Sequence, residues 1–170
     1  MSNVVLQKIG QVDRKVKYVA STSKTCVPEQ VDKVFEWLPA IYVLLADIPG
    51  NKTSSSFKKR VFIILATQLV ADAFISPLKK YIHRRRPGYF LKTNSFPSRH
   101  AAISFSGAHI LRNQLTAVPR LLSYSGYLSA VTTASLRIYR RRHWLTDVIA
   151  GAVIGLIASK IVHTIFKDSK

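Results

Sequence analysis

Three polar clusters between residues 79 and 147 contain the residue types that bind a phosphate group and attack it. The first cluster holds Lys79 and Arg86-Pro87, the second Pro97-Ser98-Arg99-His100, and the third Arg137, His143 and Asp147. Cations, a hydroxyl, two imidazoles and one carboxylate are the groups expected in a phosphate-binding pocket that also contains a nucleophile.

The cations and the serine suit a tetrahedral oxyanion. Lys79, Arg86 and Arg137 supply positive charge, and guanidinium groups match phosphate oxygens bidentately. Ser98 stands where a helix is predicted to begin, so its hydroxyl and the following backbone N–H groups can point at an anion. These groups could neutralise the charge that spreads over phosphate oxygens during phosphoryl transfer.

The two histidines complete a displacement reaction. His143 and Asp147 are four residues apart at the start of a predicted helix and therefore share one face. The carboxylate can accept the Nδ1 proton, which leaves the other ring nitrogen free to attack phosphorus. His100 can protonate the leaving oxygen and later deprotonate water. The predicted reaction is phosphoryl transfer through a phosphohistidine and then hydrolysis, without metal or cofactor.

Apolar stretches must position these clusters. They are Val34–Ile48, Val61–Leu78, Ala101–Leu111, Leu121–Leu136 and Leu145–Phe166. A helix needs about 20 residues to cross a bilayer, and the last stretch, with Gly151, Gly155 and Ser159 at every fourth position, has the small-residue stripe of packed membrane helices. Because no alternating strand pattern competes, we predict an all-α integral membrane bundle with about five spanning helices.

The N-terminal segment has a different character. Residues 1–33 combine valines at helical spacing with scattered lysines and arginines, a pattern that suits an amphipathic helix at the headgroup layer and equally an ordinary surface helix. Residues 34–170 are predicted to form the membrane-embedded catalytic domain.

The order of the helices predicts that the clusters meet. If Val61–Leu78 ends at one face, the next helix leaves from that face, its successor returns to it, and the helix after His143 leaves again. All three clusters then lie on the same side of the bundle.

The net charge of +18 indicates an anionic partner, and the 48% hydrophobic content favours a membrane over nucleic acid. A non-enzymatic basic protein that binds anionic lipid or nucleic acid is the alternative. It would need neither His143 nor Asp147.

The spacings Lys79-x6-Arg86-Pro87, Pro97-Ser98-x-His100 and Arg137-x5-His143-x3-Asp147 resemble the three signature motifs of the type 2 phosphatidic acid phosphatase superfamily. The resemblance covers about Val61 to Phe166. It implies a helical bundle that dephosphorylates a membrane lipid, with His143 as nucleophile, His100 as acid and Asp147 as the orienting group. Lys79, Arg86, Ser98 and Arg137 would bind phosphate. Soluble acid phosphatases and haloperoxidases share the superfamily, but the apolar run from Leu145 to Phe166 argues against a soluble relative.

Two positions depart from the family pattern. Arg99 replaces the glycine of the second motif, and Leu136 stands where a serine usually precedes Arg137. If Arg99 faces the site, it adds a phosphate-binding cation and favours a diphosphate or a lipid A phosphate over a plain monoester. The other candidate lipids are phosphatidylglycerophosphate, phosphatidate and undecaprenyl diphosphate.

The predicted orientation of the protein in the membrane is based on the resemblance to the superfamily. Crossing parity puts more Lys and Arg on the site side, as on a cytoplasmic face, but most of those cations belong to the site itself. The resemblance implies a multi-pass protein of the inner membrane whose site faces the periplasm.

The remaining basic residues have simpler interpretations. We assign His83, His109 and His163 to packing or surface positions. Five arginines either anchor headgroups or contact the substrate: Arg84, Arg85, Arg140, Arg141 and Arg142.

Overall fold

The computed structural model describes residues 10–17, 28, 30–45, 55–89, 91–115 and 120–166. In these ranges the chain is helical, with no strand longer than an isolated bridge between Arg86 and Tyr89. The helices are α1 (residues 10–17), α2 (Gln30–Leu44), α3 (Phe57–Ile82), α4 (Arg99–Gln114), α5 (Arg120–Tyr139) and α6 (Leu145–Ile165). The predicted all-α fold is confirmed.

Helix boundaries differ from the predicted ones mainly in α2 and α3. Helix α2 begins at Gln30, four residues before the predicted start, and the added turn carries Asp32, whose charge suits a helix N-terminus. Its predicted end at Ile48 lies outside the described residues. Helix α3 is one turn longer at each end and stops at His83, which has a left-handed backbone conformation with φ of 46°.

Two of the described helices, α3 and α6, are long and apolar enough to cross a bilayer, with 26 and 21 residues. Helices α2 and α4 have 15 and 16 residues, short of the roughly 20 that a crossing needs. Helix α5 has 20 residues but includes a larger share of polar residues than α3 and α6 do. The five-span arrangement therefore stays a prediction.

Helix α4 lies at the centre of the bundle, against α2, α3, α5 and α6. Most of its buried residues are Ala, Ser or Gly, so neighbouring backbones approach closely. A Cβ atom added at Gly151 would lie 2.1 Å from the carbonyl oxygen of Ser98, and one added at Gly155 would lie 2.2 Å from that of Ala102. The predicted small-residue stripe of α6 is confirmed as the surface that packs on α4.

Apolar side chains face outward around the bundle. Leu65, Leu69 and Phe74 of α3, Leu128 of α5 and Ile157 of α6 are all exposed. Polar side chains are buried between the helices: Thr67, Ser104, Ser106, Gln114, Thr133 and Ser159. An apolar exterior around a partly polar interior is typical of helices that contact lipid.

Candidate active site

The three polar clusters meet at one end of the bundle, as crossing parity predicts. The backbone N–H of Ser98 donates to the carbonyl of Asp147 over 2.9 Å, and that of Gly88 donates to the carbonyl of Arg141 over 2.9 Å. The indole N–H of Trp144 donates to the carbonyl of Arg85 over 2.8 Å. These hydrogen bonds join the loop after α3, the start of α4 and the loop between α5 and α6.

His143 is held by a backbone carbonyl. Its Nδ1 atom lies 2.7 Å from the carbonyl oxygen of Ser95, whereas Oδ2 of Asp147 lies 3.8 Å away. A carbonyl only accepts hydrogen bonds, so Nδ1 carries the proton and Nε2 keeps a lone pair. Burial lowers the pKa of His143, which favours the neutral imidazole. The expected acceptor, Asp147, thus lies beyond hydrogen-bond distance of that ring nitrogen.

Asp147 organises the loop that holds His143. Its fully buried carboxylate accepts three hydrogen bonds. The donors are the hydroxyl of Ser95 at 2.5 Å, the backbone N–H of Trp144 at 2.9 Å and Nη1 of Arg84 at 2.6 Å. Ser95 therefore links the two predicted residues, since its hydroxyl binds Asp147 and its carbonyl binds His143. The carboxylate positions the imidazole through this shared residue.

Three of the predicted phosphate ligands are cations near His143. Asn94 accepts hydrogen bonds from two of them. Nε of Arg86 donates to its side-chain oxygen over 3.0 Å, and Nζ of Lys79 donates to its backbone carbonyl over 2.9 Å. Burial, together with the neighbouring Arg137 and Arg142, lowers the pKa of Arg86. Cations crowded in this way favour an anion among them.

Arg137 reaches the site from the end of α5. Its Nη1 atom lies 3.1 Å from Oδ2 of Asp32 in α2, and Nε of Arg140 lies 3.1 Å from Oδ1 of the same carboxylate. The side chain is nearly buried, so this ion pair fixes its position. Arg140 thus binds a carboxylate inside the protein, which accounts for one of the five arginines with open roles.

Ser98 and His100 stand at the start of α4. Ser98 is the N-cap, and its fully buried hydroxyl accepts the backbone N–H of Ala101 over 3.4 Å. His100 is partly exposed, and its Nε2 atom lies 3.7 Å from Oε2 of Glu36 in α2. The charged groups that act on His100 include His143, Arg137, Arg86 and Lys79, so both imidazoles share one cationic environment.

Arg99 has a carboxylate partner outside this group of cations. Its guanidinium forms a close ion pair with Asp72 of α3, and both side chains are partly exposed to solvent. Asp72 thus contacts the start of α4 through this pair. The predicted contact of Arg99 with phosphate stays a prediction, because the structure engages its guanidinium elsewhere.

Arg84, one of the five arginines with open roles, and three residues that the sequence did not single out also shape the site. Arg84 joins Asp147 to Asp13 of α1, with 2.6 and 2.5 Å between the charged atoms. Ser95, Asp32 and Glu36 contact His143, Arg137 and His100 as described above. Asp32 and Glu36, two acids four residues apart in the first half of α2, were the available sequence signal for that helix. A backbone carbonyl such as that of Ser95 has no sequence signal.

Two of the other histidines lie at a helix end and between two helices. His83 ends α3, and Nδ1 of His109 lies 2.9 Å from the hydroxyl of Ser159 between α4 and α6. Within the described ranges, no group of three or more His, Cys, Asp or Glu side chains is arranged to hold a metal ion.

Comparison with known proteins gives one family and three relatives. The sequence profile of the PAP2 superfamily matches residues 60–170. The lipid A 1-phosphatase of Porphyromonas gingivalis is 26% identical over 162 residues, 92% of this chain and 36% of the relative. The undecaprenyl-diphosphatase of Sulfolobus acidocaldarius is 28% identical over 134 residues, 71% of this chain and 59% of the relative.

The chain therefore spans about a third and about three fifths of these curated relatives. The crystal structure of Aquifex aeolicus LpxE superimposes with a TM-score of 0.66 at 19% identity, over 88% of this chain and 93% of that one. This likeness shows a shared fold.

Proposed function

The chain belongs to the PAP2 superfamily, and we propose that it is a membrane lipid phosphatase that works through a phosphohistidine at His143. The observation that carries this proposal is the orientation of that imidazole. Its Nδ1 atom is committed to the carbonyl of Ser95 at 2.7 Å. The free Nε2 atom is then the nucleophile, with the cations of Lys79, Arg86 and Arg137 to bind the phosphate oxygens.

The proposed reaction has two displacements. First, Nε2 of His143 bonds to phosphorus, the bond from phosphorus to the lipid oxygen breaks, and His100 protonates that oxygen. Next, water attacks phosphorus, His100 takes the proton of the water, and the phosphorus–nitrogen bond breaks with its electron pair returning to His143. The net change converts a lipid phosphate and water into the dephosphorylated lipid and inorganic phosphate.

Each remaining site residue has a proposed part in this chemistry. Ser98 donates its hydroxyl to a phosphate oxygen at the start of α4, where the helix dipole also favours an anion. Asp147 keeps the nucleophile in place through Ser95. Arg99 is a candidate for a second phosphate group, provided that its guanidinium leaves Asp72.

The substrate class follows from the relatives and from the outward apolar surface. Lipid A 1-phosphate and undecaprenyl diphosphate are the substrates named for the two curated relatives. Both are phosphorylated lipids with long apolar chains. We propose a lipid of this kind, with phosphatidylglycerophosphate and phosphatidate as the other members of the test panel.

The proposed membrane arrangement has five spans. Helices α3 and α6 qualify by length and composition, and exposed apolar residues on α2 and α5, such as Trp37, Ile41 and Leu128, support lipid contact by the shorter helices. Residues 1–33 would lie at the membrane surface beside the site, where Asp13 contacts Arg84. We propose an inner-membrane protein with its site facing the periplasm.

The decisive experiment measures phosphate release by purified protein against the lipid panel. His143→Ala is expected to abolish both turnover and the phosphoenzyme trapped by rapid quenching in base. His163→Ala, which removes an imidazole far along α6, is the matched control and should retain activity. Release of phosphate by His143→Ala, or lipid binding without turnover by the wild type, would refute the proposal.

A further inference from the structure

Helix α2 places a carboxylate beside the proposed general acid. Glu36 is buried, with 5% of its surface exposed, and its Oε2 atom lies 3.7 Å from Nε2 of His100. The residue precedes the region that matches the family profile, which begins at residue 60. None of the three sequence motifs includes Glu36.

The surroundings of His100 oppose the charge that its role requires. To protonate a leaving oxygen, the imidazole must first carry a second proton and therefore a positive charge. Charged or titratable groups on α3, α5 and the two loops act on it electrostatically: Lys79, Arg86, Arg137 and His143. Burial and these groups both disfavour a proton on His100, and the carboxylate of Glu36 on α2 is the group beside it that can carry the opposite charge.

Burial disfavours the ionised form of Glu36, and the cations Arg137, Arg99 and Lys33 counteract part of that effect. A carboxylate so placed can offset the charge of an imidazolium without leaving the bundle.

We infer that Glu36 is a positioning residue for the reaction, which stabilises the protonated form of His100 and thereby enables it to protonate the leaving lipid oxygen. This inference rests on the proposed function. The separation of 3.7 Å exceeds a hydrogen bond, so the Nε2 proton is not committed to the carboxylate and remains available to the leaving oxygen. After the lipid departs, the same carboxylate favours return of a proton from the attacking water to His100.

The leaving group provides the discriminating measurement. A lipid alkoxide cannot leave without a proton, whereas a nitrophenolate can. Glu36→Gln should therefore lower kcat for dodecyl phosphate by about 10- to 100-fold, part of the factor that a general acid supplies. For 4-nitrophenyl phosphate the rate constant of the nitrophenol burst, which reports attack by His143, should change by less than about threefold, since the nitrophenolate leaves without an acid.

The pH profile gives a second readout that a purely structural role would not move. Loss of a negative neighbour makes the imidazolium of His100 less stable, so its proton is lost at lower pH. The alkaline limb of the dodecyl phosphate profile should move down by about one pH unit in Glu36→Gln. Glu36→Asp keeps the charge and should recover part of the lost rate.

The experiment compares wild type, Glu36→Gln, His100→Asn and the double variant on both esters. Rates are normalised to the amplitude of the nitrophenol burst, which counts the folded active sites. If Glu36 acts through His100, the double variant is no slower on dodecyl phosphate than His100→Asn. Glu29→Gln removes the same charge seven residues earlier and serves as the matched control.

Three outcomes overturn the inference: equal losses in kcat for dodecyl phosphate and in the rate constant of the nitrophenol burst, additive losses in the double variant, or an unmoved alkaline limb. Failure of the proposed function looks different, because the wild type would then release no phosphate from any substrate, or His143→Ala would remain active. A variant that only loses folded protein shows a smaller burst with unchanged normalised rates, which also counts against a role for Glu36 in proton transfer.

Discussion

A single methyl group at Gly151 should disturb the site without touching any catalytic side chain. In Gly151→Ala the new Cβ atom would lie 2.1 Å from the carbonyl oxygen of Ser98, 1.3 Å short of the 3.4 Å at which ordinary contact begins. Backbone atoms cannot rotate away, so α6 must shift relative to α4 by about 1 Å. The shift falls where the N–H of Ser98 donates to the carbonyl of Asp147.

Because His100 follows Ser98 on α4 and His143 precedes α6, this shift changes the position of the general acid relative to the nucleophile. A displacement of about 1 Å costs on the order of 100-fold in rate, and overpacking costs about 1 to 3 kcal/mol of unfolding free energy. Both effects are measurable in detergent, by phosphate release and by thermal unfolding.

Gly10→Ala is the matched control, since a Cβ atom at Gly10 meets nothing within 4 Å. It should leave both quantities unchanged. Wild-type activity and stability in Gly151→Ala would show that the α4–α6 contact does not determine the geometry of the site, and the reasoning would be refuted.

Three further predictions concern the charges of the site. Asp32→Asn leaves the buried guanidinium of Arg137 without its ion pair. The free energy of unfolding, measured in denaturant, should therefore fall by about 3 kcal/mol, and KM should rise. Unchanged stability would contradict this prediction. Because burial lowers the pKa of His143, the nitrophenol burst should persist as pH falls through about 6.5, the usual histidine value; a half-maximal burst at that pH would mean an unshifted imidazole. Arg99→Gly should change stability by less than about 1 kcal/mol, since the ion pair is partly exposed, and should shift the ratio of turnover about tenfold toward monophosphates if Arg99 binds a second phosphate; an unchanged ratio would contradict that role.

The fold class and the meeting of the clusters could be predicted from the sequence because both depend on local patterns. Apolar runs broken by polar turns specify helices, and the alternating direction of successive helices brings Lys79, Ser98 and His143 to one end. The stripe of Gly151 and Gly155 likewise indicates close packing, since small side chains at every fourth position form one face.

The number of spans could not be settled in this way. Helices α2 and α4 have 15 and 16 residues, so length and apolarity alone qualify only α3 and α6 among the described helices. Whether a short helix crosses depends on its neighbours and on the local thickness of the bilayer.

The sequence by itself determined the chemical inventory: the identities and spacings of Lys79, Arg86, Arg137, His100 and His143 indicate phosphoryl transfer before any coordinates are seen. Only the tertiary structure decided what holds these groups. The acceptor for His143 is the carbonyl of Ser95, 48 residues away, and the carboxylate for Arg137 is Asp32, 105 residues away. A backbone carbonyl has no sequence signature, and partners so distant along the chain meet only when α2 and the loop after α3 pack against α4 and α5.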